Sequence, residues 1–190
     1  MAAINENLKR QLAKKMYHFV KYFPVRIRNV GEDAVENRKF VWGFKDANRE
    51  VTLKVAQMTA SYLLNEFGDK VKSIVFVCIP ASTCEQNENR YRFFCEQVSS
   101  LAGVMNGFSH IRILADRPSV HENRKKKTHA DFSERLMKFD EDFFKEKDVL
   151  IYDDVVTTGM SYAELAERLE ILGANVLGGL FLSRTYYKYQ

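Results

Sequence analysis

This chain is poor in cysteine, with three in 190 residues. Cys78, Cys84 and Cys95 are odd in number and fall at none of the spacings that hold zinc, so neither a disulfide scaffold nor a zinc site is expected. They read as free thiols in a reducing compartment, the cytoplasm. Long apolar runs are lacking too, and none approaches the ~20 residues of a membrane-spanning helix. The first residues are polar and charged, unlike a secretion signal. Internal repeats and low-complexity tracts are absent, which removes solenoids and linkers from consideration. The net charge is only +4, which suits an anionic small ligand as well as a nucleic acid. The basic residues are not interleaved with aromatics, so no base-stacking surface is indicated.

What is present is apolar patterning. At 46% hydrophobic, the chain can bury a sizeable core and is read as one domain over residues 1–190. Residues 1–70 are expected to form an accessory, hood-like layer beside an α/β core over 71–190. In that layer Ile4, Leu8, Leu12, Met16 and Val20 predict a helix over 3–20. Pro24 ends it, and Val25 to Val30 alternates like a short strand. Phe40-Val41-Trp42-Gly43-Phe44 predicts another extended stretch, with Trp42 and Phe44 in the core. Asp46 or Asn48 then caps a helix carrying Val51, Val55, Met58 and Tyr62, which ends near Gly68.

From Val71 strands and helices alternate. Ile74 to Ile79 reads as a buried parallel strand, with Cys78 an inert core thiol. Pro80 starts a turn. A helix is predicted over Glu85 to Leu101, then strands at Ile111 to Leu114, Val149 to Tyr152 and Val176 to Leu182. This alternation predicts an α/β fold, a parallel sheet flanked by helices with right-handed crossovers.

The segment Val149 to Ser161 carries the chemistry. An apolar run ends in Asp153 and Asp154, a turn of Val156, Thr157, Thr158 and Gly159 follows, and Met160 and Ser161 open an amphipathic helix. Tyr162, Leu165, Ala166 and Leu169 form its apolar face, and Gly173 stands at its C-terminal end. A helix N-terminus with unpaired amides and a positive dipole end attracts a phosphate, and Thr157, Thr158 and Ser161 add hydroxyl donors. The two carboxylates suit a vicinal diol at the carboxyl end of a sheet. The alternative is that they cap the next helix or lie solvated in a turn.

This segment resembles the phosphoribosyl-pyrophosphate (PRPP) binding motif of type I phosphoribosyltransferases: hydrophobic strand, two acids, then Thr-Thr-Gly. Within that group the phrase VLIYDDVVTTG, the following LGANVLGGLFLSRT and the charged segment from Arg117 to Arg135 are similar to the ComF-type competence proteins. The resemblance covers about residues 72 to 185. It departs from many such relatives in lacking paired Cys-x-x-Cys motifs. The resemblance implies a type I phosphoribosyltransferase fold, with the ribose diol on Asp153 and Asp154 and the 5′-phosphate on the 156–161 loop. It implies pyrophosphate contacts from Ser82 and Thr83, although the family's frequent glycine-and-lysine version of that turn is missing. An ordinary turn is the alternative there. Arg90 and Arg92 are candidate replacement cations or exposed helix decoration.

A further polar segment, Asp116 to Asp131, holds Arg124, Lys125, Lys126 and Lys127. It is a solvated charged face, a DNA-binding stretch without the aromatics that would support one, or, by resemblance, a lid that closes those lysines over the leaving pyrophosphate. The implied activity is transfer of ribose 5-phosphate from PRPP to a nitrogen acceptor such as a nucleobase. Mg²⁺ is implied as the cofactor, held mostly by ligand oxygens and water with no chain ligand. A homodimer is compatible with the resemblance. The competing functions are a PRPP- or nucleotide-sensing protein without turnover, and a competence-type accessory factor.

Overall fold

β2 (Ile74–Cys78) and β6 (Asp148–Val156) lie side by side at the middle of a parallel sheet, and the chain departs from them in opposite directions. β2 leads through a helical stretch to β3 (Met105–Asn106) on one edge. β6 leads through α7 (Met160–Ile171) to β7 (Asn175–Thr185), and β1 (Met16–Tyr22) pairs beyond it on the other edge. The order is therefore β1-β7-β6-β2-β3, parallel throughout. The carboxyl ends of β2 and β6 form the switch point where an open α/β sheet gathers its ligands. The computed structural model describes residues 5–114 and 137–189. Asp116 to Asp131, with Lys125, Lys126 and Lys127, lies outside the described residues.

Burial follows from a sheet covered on both faces. All five residues of β2 are buried, as an uninterrupted apolar run requires. On one face Phe76, Leu150, Tyr152, Leu180 and Leu182 pack against α2 (Glu32–Lys45), α3 (Arg49–Phe67) and α5 (Phe93–Ala102). On the other, Val77, Val149, Ile151 and Phe181 pack against α7, and Leu8 and Leu12 of α1 (Glu6–Leu12) join them. Cys78 and Cys95 face each other inside the first layer, with sulfurs 3.4 Å apart and no disulfide. Burial pushes the Cys78 thiol well up, which agrees with an inert core thiol.

The elements of the α/β core fall where the sequence reading put them at Ile74, Val149, Met160 and Val176, with α7 carrying Tyr162, Leu165, Ala166 and Leu169 buried. However, β6 extends past Tyr152 to Val156, and the stretch after Thr83 is not one continuous α-helix. Asn48 caps α3 by accepting from the Val51 amide, and Gly68 ends it. Four further expectations need correction. The helix stops at Leu12, and Met16 to Tyr22 is strand β1. A spacing of four lies on one face of a strand as well as of a helix, so the stripe could not distinguish them. Val25 to Val30 is a turn, gathered by Arg38, whose guanidinium donates to the carbonyls of Phe23, Pro24 and Ile27. Phe40 to Phe44 is helical, within α2. Its Phe44 is buried, but Trp42 is 41% exposed and is not a core residue. Short apolar runs do not reveal their period.

The fourth correction concerns β4 (Ile111–Ile113), which leaves the main sheet to pair antiparallel with β5 (Met137–Phe139). The place beside β2 goes instead to β3. Gly103, in the left-handed region at φ +79°, ends α5 and turns the chain back at once, so β3 pairs before Ile111 is reached. The first 70 residues supply the edge strand β1 and helices on both faces of the same sheet.

Candidate functional site

Strand β6 runs on through Val156, so Asp153 and Asp154 lie inside its last turn of pleat and not beyond it. Thr157 and Thr158 then form an exposed bend, and Gly159 opens α7 with φ +82°. The left-handed value suits glycine, and a Cβ at this position would stand 2.9 Å from Leu12 Cδ2. Gly159 offers no side-chain cap, so the amides of Ser161 and Tyr162 in the first turn have no intrahelical acceptor. Thr157 Oγ1 meets Thr185 Oγ1 at 2.8 Å, which ties the bend to the end of β7. The Met160 amide donates to Thr158 Oγ1 at 3.4 Å.

An open cleft of about 240 Å³ lies over this bend. Val156, Thr157, Thr158, Gly159, Met160 and Ser161 line it, together with Asp153 and Ile79. The loop and one of the two acids therefore share a single concavity at the switch point. That arrangement can hold an anion at the helix end and a hydroxyl-bearing group beside it.

The two acids are not equivalent. Asp154 is 5% exposed and paired with two cations. Arg90 Nη1 stands 2.8 Å from its Oδ2, and Lys45 Nζ 3.5 Å from its Oδ1. Arg90 also donates through Nε to the Lys45 carbonyl, at the C-terminal end of α2. Asp153 is partly exposed, and its Oδ1 accepts from Tyr91 Oη at 3.1 Å and from the Asp154 amide at 2.8 Å. Burial, and after it the adjacent Asp154 carboxylate, push the Asp153 carboxyl up to about 7. Hydrogen bonds from the Asp154 amide and Tyr91, with the Lys45 charge, act in the opposite direction. Burial pushes the Tyr91 hydroxyl well up, so it remains a donor.

Ser82 and Thr83 follow β2 but do not line this cleft. Thr83 Oγ1 accepts from the Gln86 amide and caps the short helix α4 (Cys84–Asn87), and Ser82 is exposed. Of the two candidate arginines, Arg90 reaches the acids, whereas Arg92 pairs with Glu88. Sequence reasoning missed Tyr91 and Lys45. Nothing in their local sequence marks them, since each is brought to β6 by a separate helical segment.

Among the described residues no group of three His, Cys, Asp or Glu side chains converges on a cation position. Asp154 already has its counter-charges in Arg90 and Lys45. A magnesium ion carried on a ligand's phosphate oxygens and water fits this donor set.

No protein-family model matches the chain, and no curated protein does. Solved structures with a loose likeness include an adenine phosphoribosyltransferase, 18% identical over 72% of this chain and 71% of that one, with a TM-score of 0.47. A hypoxanthine phosphoribosyltransferase from Staphylococcus aureus is 15% identical over 73% of this chain and 68% of that one, with a TM-score of 0.40.

Proposed function

We propose that this protein is a phosphoribosyltransferase, which moves the ribose 5-phosphate group of PRPP to a nitrogen acceptor such as a nucleobase. The observation that carries this reading is the shared cleft of Asp153 and the Thr157–Ser161 loop at the N-terminus of α7. In this reading the 5′-phosphate sits on the loop amides and on the hydroxyls of Thr157, Thr158 and Ser161, with Val156 and Met160 as its walls. The ribose diol lies toward the Asp153–Asp154 pair, with Asp153 the member that lines the cleft. Ser82 and Thr83, after the neighbouring strand, are the proposed pyrophosphate side.

The anomeric carbon loses its bond to pyrophosphate, which departs with the electron pair, while the acceptor nitrogen forms the new bond through its lone pair and releases its N–H proton to solvent. Mg²⁺ on the ligand's oxygens would offset the charge of the departing group. The chain contributes orientation and fixed dipoles. Lys125, Lys126 and Lys127 are proposed to stabilise the leaving pyrophosphate. Changing all three to Ala should then lower turnover far more than PRPP affinity, and normal steady-state turnover would remove them from the mechanism.

The test is calorimetric titration with PRPP and Mg²⁺, beside a pyrophosphate-release assay over a panel of bases. Micromolar binding with release for one base is expected. Binding without release for any base would favour a sensing protein. No PRPP binding, with salt-dependent DNA binding instead, would favour the accessory-factor reading.

A further inference from the structure

The helical stretch from Cys84 to Ala102 is broken by a π-turn at Glu88–Arg92. Such turns are rare and recur inside α-helices at functional sites. Here two consecutive residues of the turn address two consecutive acids. Arg90 reaches Asp154, and Tyr91 reaches Asp153. In a regular α-helix neighbouring side chains diverge by about 100°. A turn closed from i to i+5 holds more residues and narrows that angle.

The surroundings fix both side chains. The Tyr91 ring is 1% exposed and packs 6.2 Å from the ring of Phe44. Arg90 bridges the last carbonyl of α2 and Asp154. Asp154 takes Lys45 as its second cation, and its backbone carbonyl accepts from Ser183 on β7. Asp153, with Oδ1 already accepting two hydrogen bonds, keeps Oδ2 as its open acceptor among the described residues.

We propose that the π-turn is a clamp that divides the acid pair: Arg90 and Lys45 hold Asp154 as a positioning residue, and Tyr91 orients Asp153, which alone accepts the ligand's hydroxyls. This rests on the PRPP reading above and narrows it, since the resemblance implies a diol shared by both acids. The groups facing Asp153 are Lys45 from α2, Arg90 and Tyr91 from the π-turn, Cys78 from β2, and Tyr152 and Asp154 on its own strand. Of these, the Tyr91 hydroxyl is the side-chain donor that bonds directly to the Asp153 carboxylate.

Tyr91→Phe removes that donor and keeps the buried ring. Two measurements decide the matter: the Asp153 side-chain carboxyl titration by ¹³C NMR in the free protein, and calorimetric PRPP–Mg²⁺ affinity between pH 6 and 9. The clamp predicts that Tyr91→Phe moves the Asp153 midpoint upward and weakens PRPP binding several-fold at pH 7. Affinity should recover toward pH 9, where the carboxylate is ionised regardless. Asp153→Asn should lose at least tenfold at pH 9, and less at pH 6, where the wild-type carboxyl is itself largely protonated. Arg90→Lys should bind nearly as wild type, whereas Arg90→Met should not.

An unmoved Asp153 midpoint in Tyr91→Phe overturns the clamp, whatever happens to thermal stability. A folded Asp154→Asn variant that loses as much affinity as Asp153→Asn at pH 9, where the Asp153 carboxyl is ionised in either background, overturns the division of roles. If wild type does not bind PRPP the ligand reading falls instead, and the carboxyl titration still decides whether Tyr91 controls Asp153.

Discussion

Asp153 is a carboxylic acid whose fold favours its proton. Its carboxyl is pushed up to about 7 by burial and by Asp154, while an unfolded aspartate titrates near ~3.9. Because the folded value is the higher, stability is full below about 4 and is lost as pH rises toward about 7. Asp153→Asn removes that loss. The variant should therefore gain on wild type by about 1–3 kcal/mol between pH 5 and pH 8, read by chemical denaturation at both values. An equal gap at the two pH values would contradict the raised carboxyl. Replacing Asp154 should lower stability instead, because Arg90 and Lys45 pair with its carboxylate. Asp154→Asn takes the carboxylate partner from two partly exposed cations and should cost about 1–3 kcal/mol, seen as a lowered melting temperature. Two adjacent acids before Thr-Thr-Gly were legible as a candidate site. Their inequality was not, although alternation along a strand already makes neighbours unequal. The partners that separate them come from α2 and the π-turn, distant in the sequence.

Among the elements, the strand–loop–helix unit of β6 and α7 was readable because its signals agree: an apolar run, a Thr-Thr-Gly turn, then an apolar helical face. β1 was not, because its spacing of four satisfies both periods and its partner strand comes from near the other end of the chain. Two glycines show what these elements demand of the backbone. At Gly159 an added Cβ meets the tip of Leu12, a side chain that can yield. Gly159→Ala should cost about 1–2 kcal/mol from the left-handed backbone and weaken phosphate binding at the loop. At Gly178, with φ +154°, a Cβ would lie 2.4 Å from the Lys15 carbonyl oxygen. This is beside the register shift of β7 against β6 and beside the Gly179 amide, which donates to that same carbonyl. Backbone must move there, so Gly178→Ala should cost about 2–4 kcal/mol. Thermal melts of the two variants should rank Gly178→Ala as the more damaging, and the reverse ranking would refute this account of the β1–β7 contact.

For the whole molecule, the α/β class followed from the alternation of strands and helices, but the strand order did not. Nothing in a local pattern states that β7 enters between β1 and β6. That insertion governs the order in which the fold can be completed. β1 is made early and its neighbour in the sheet is the last described strand, so ring closure between distant parts of the chain must precede their pairing. While a nascent chain stops short of Asn175, β1 and β6 both present unpaired backbone edges, the kind of surface on which chains aggregate. Ribosome-stalled chains ending before that residue should be cut by protease near Met16 to Tyr22, and chains carrying β7 should be protected there. Protection without β7 would show that β1 is held by other contacts. The exposure of this protein to misassembly in the cell is thus set by how quickly one late strand reaches its slot.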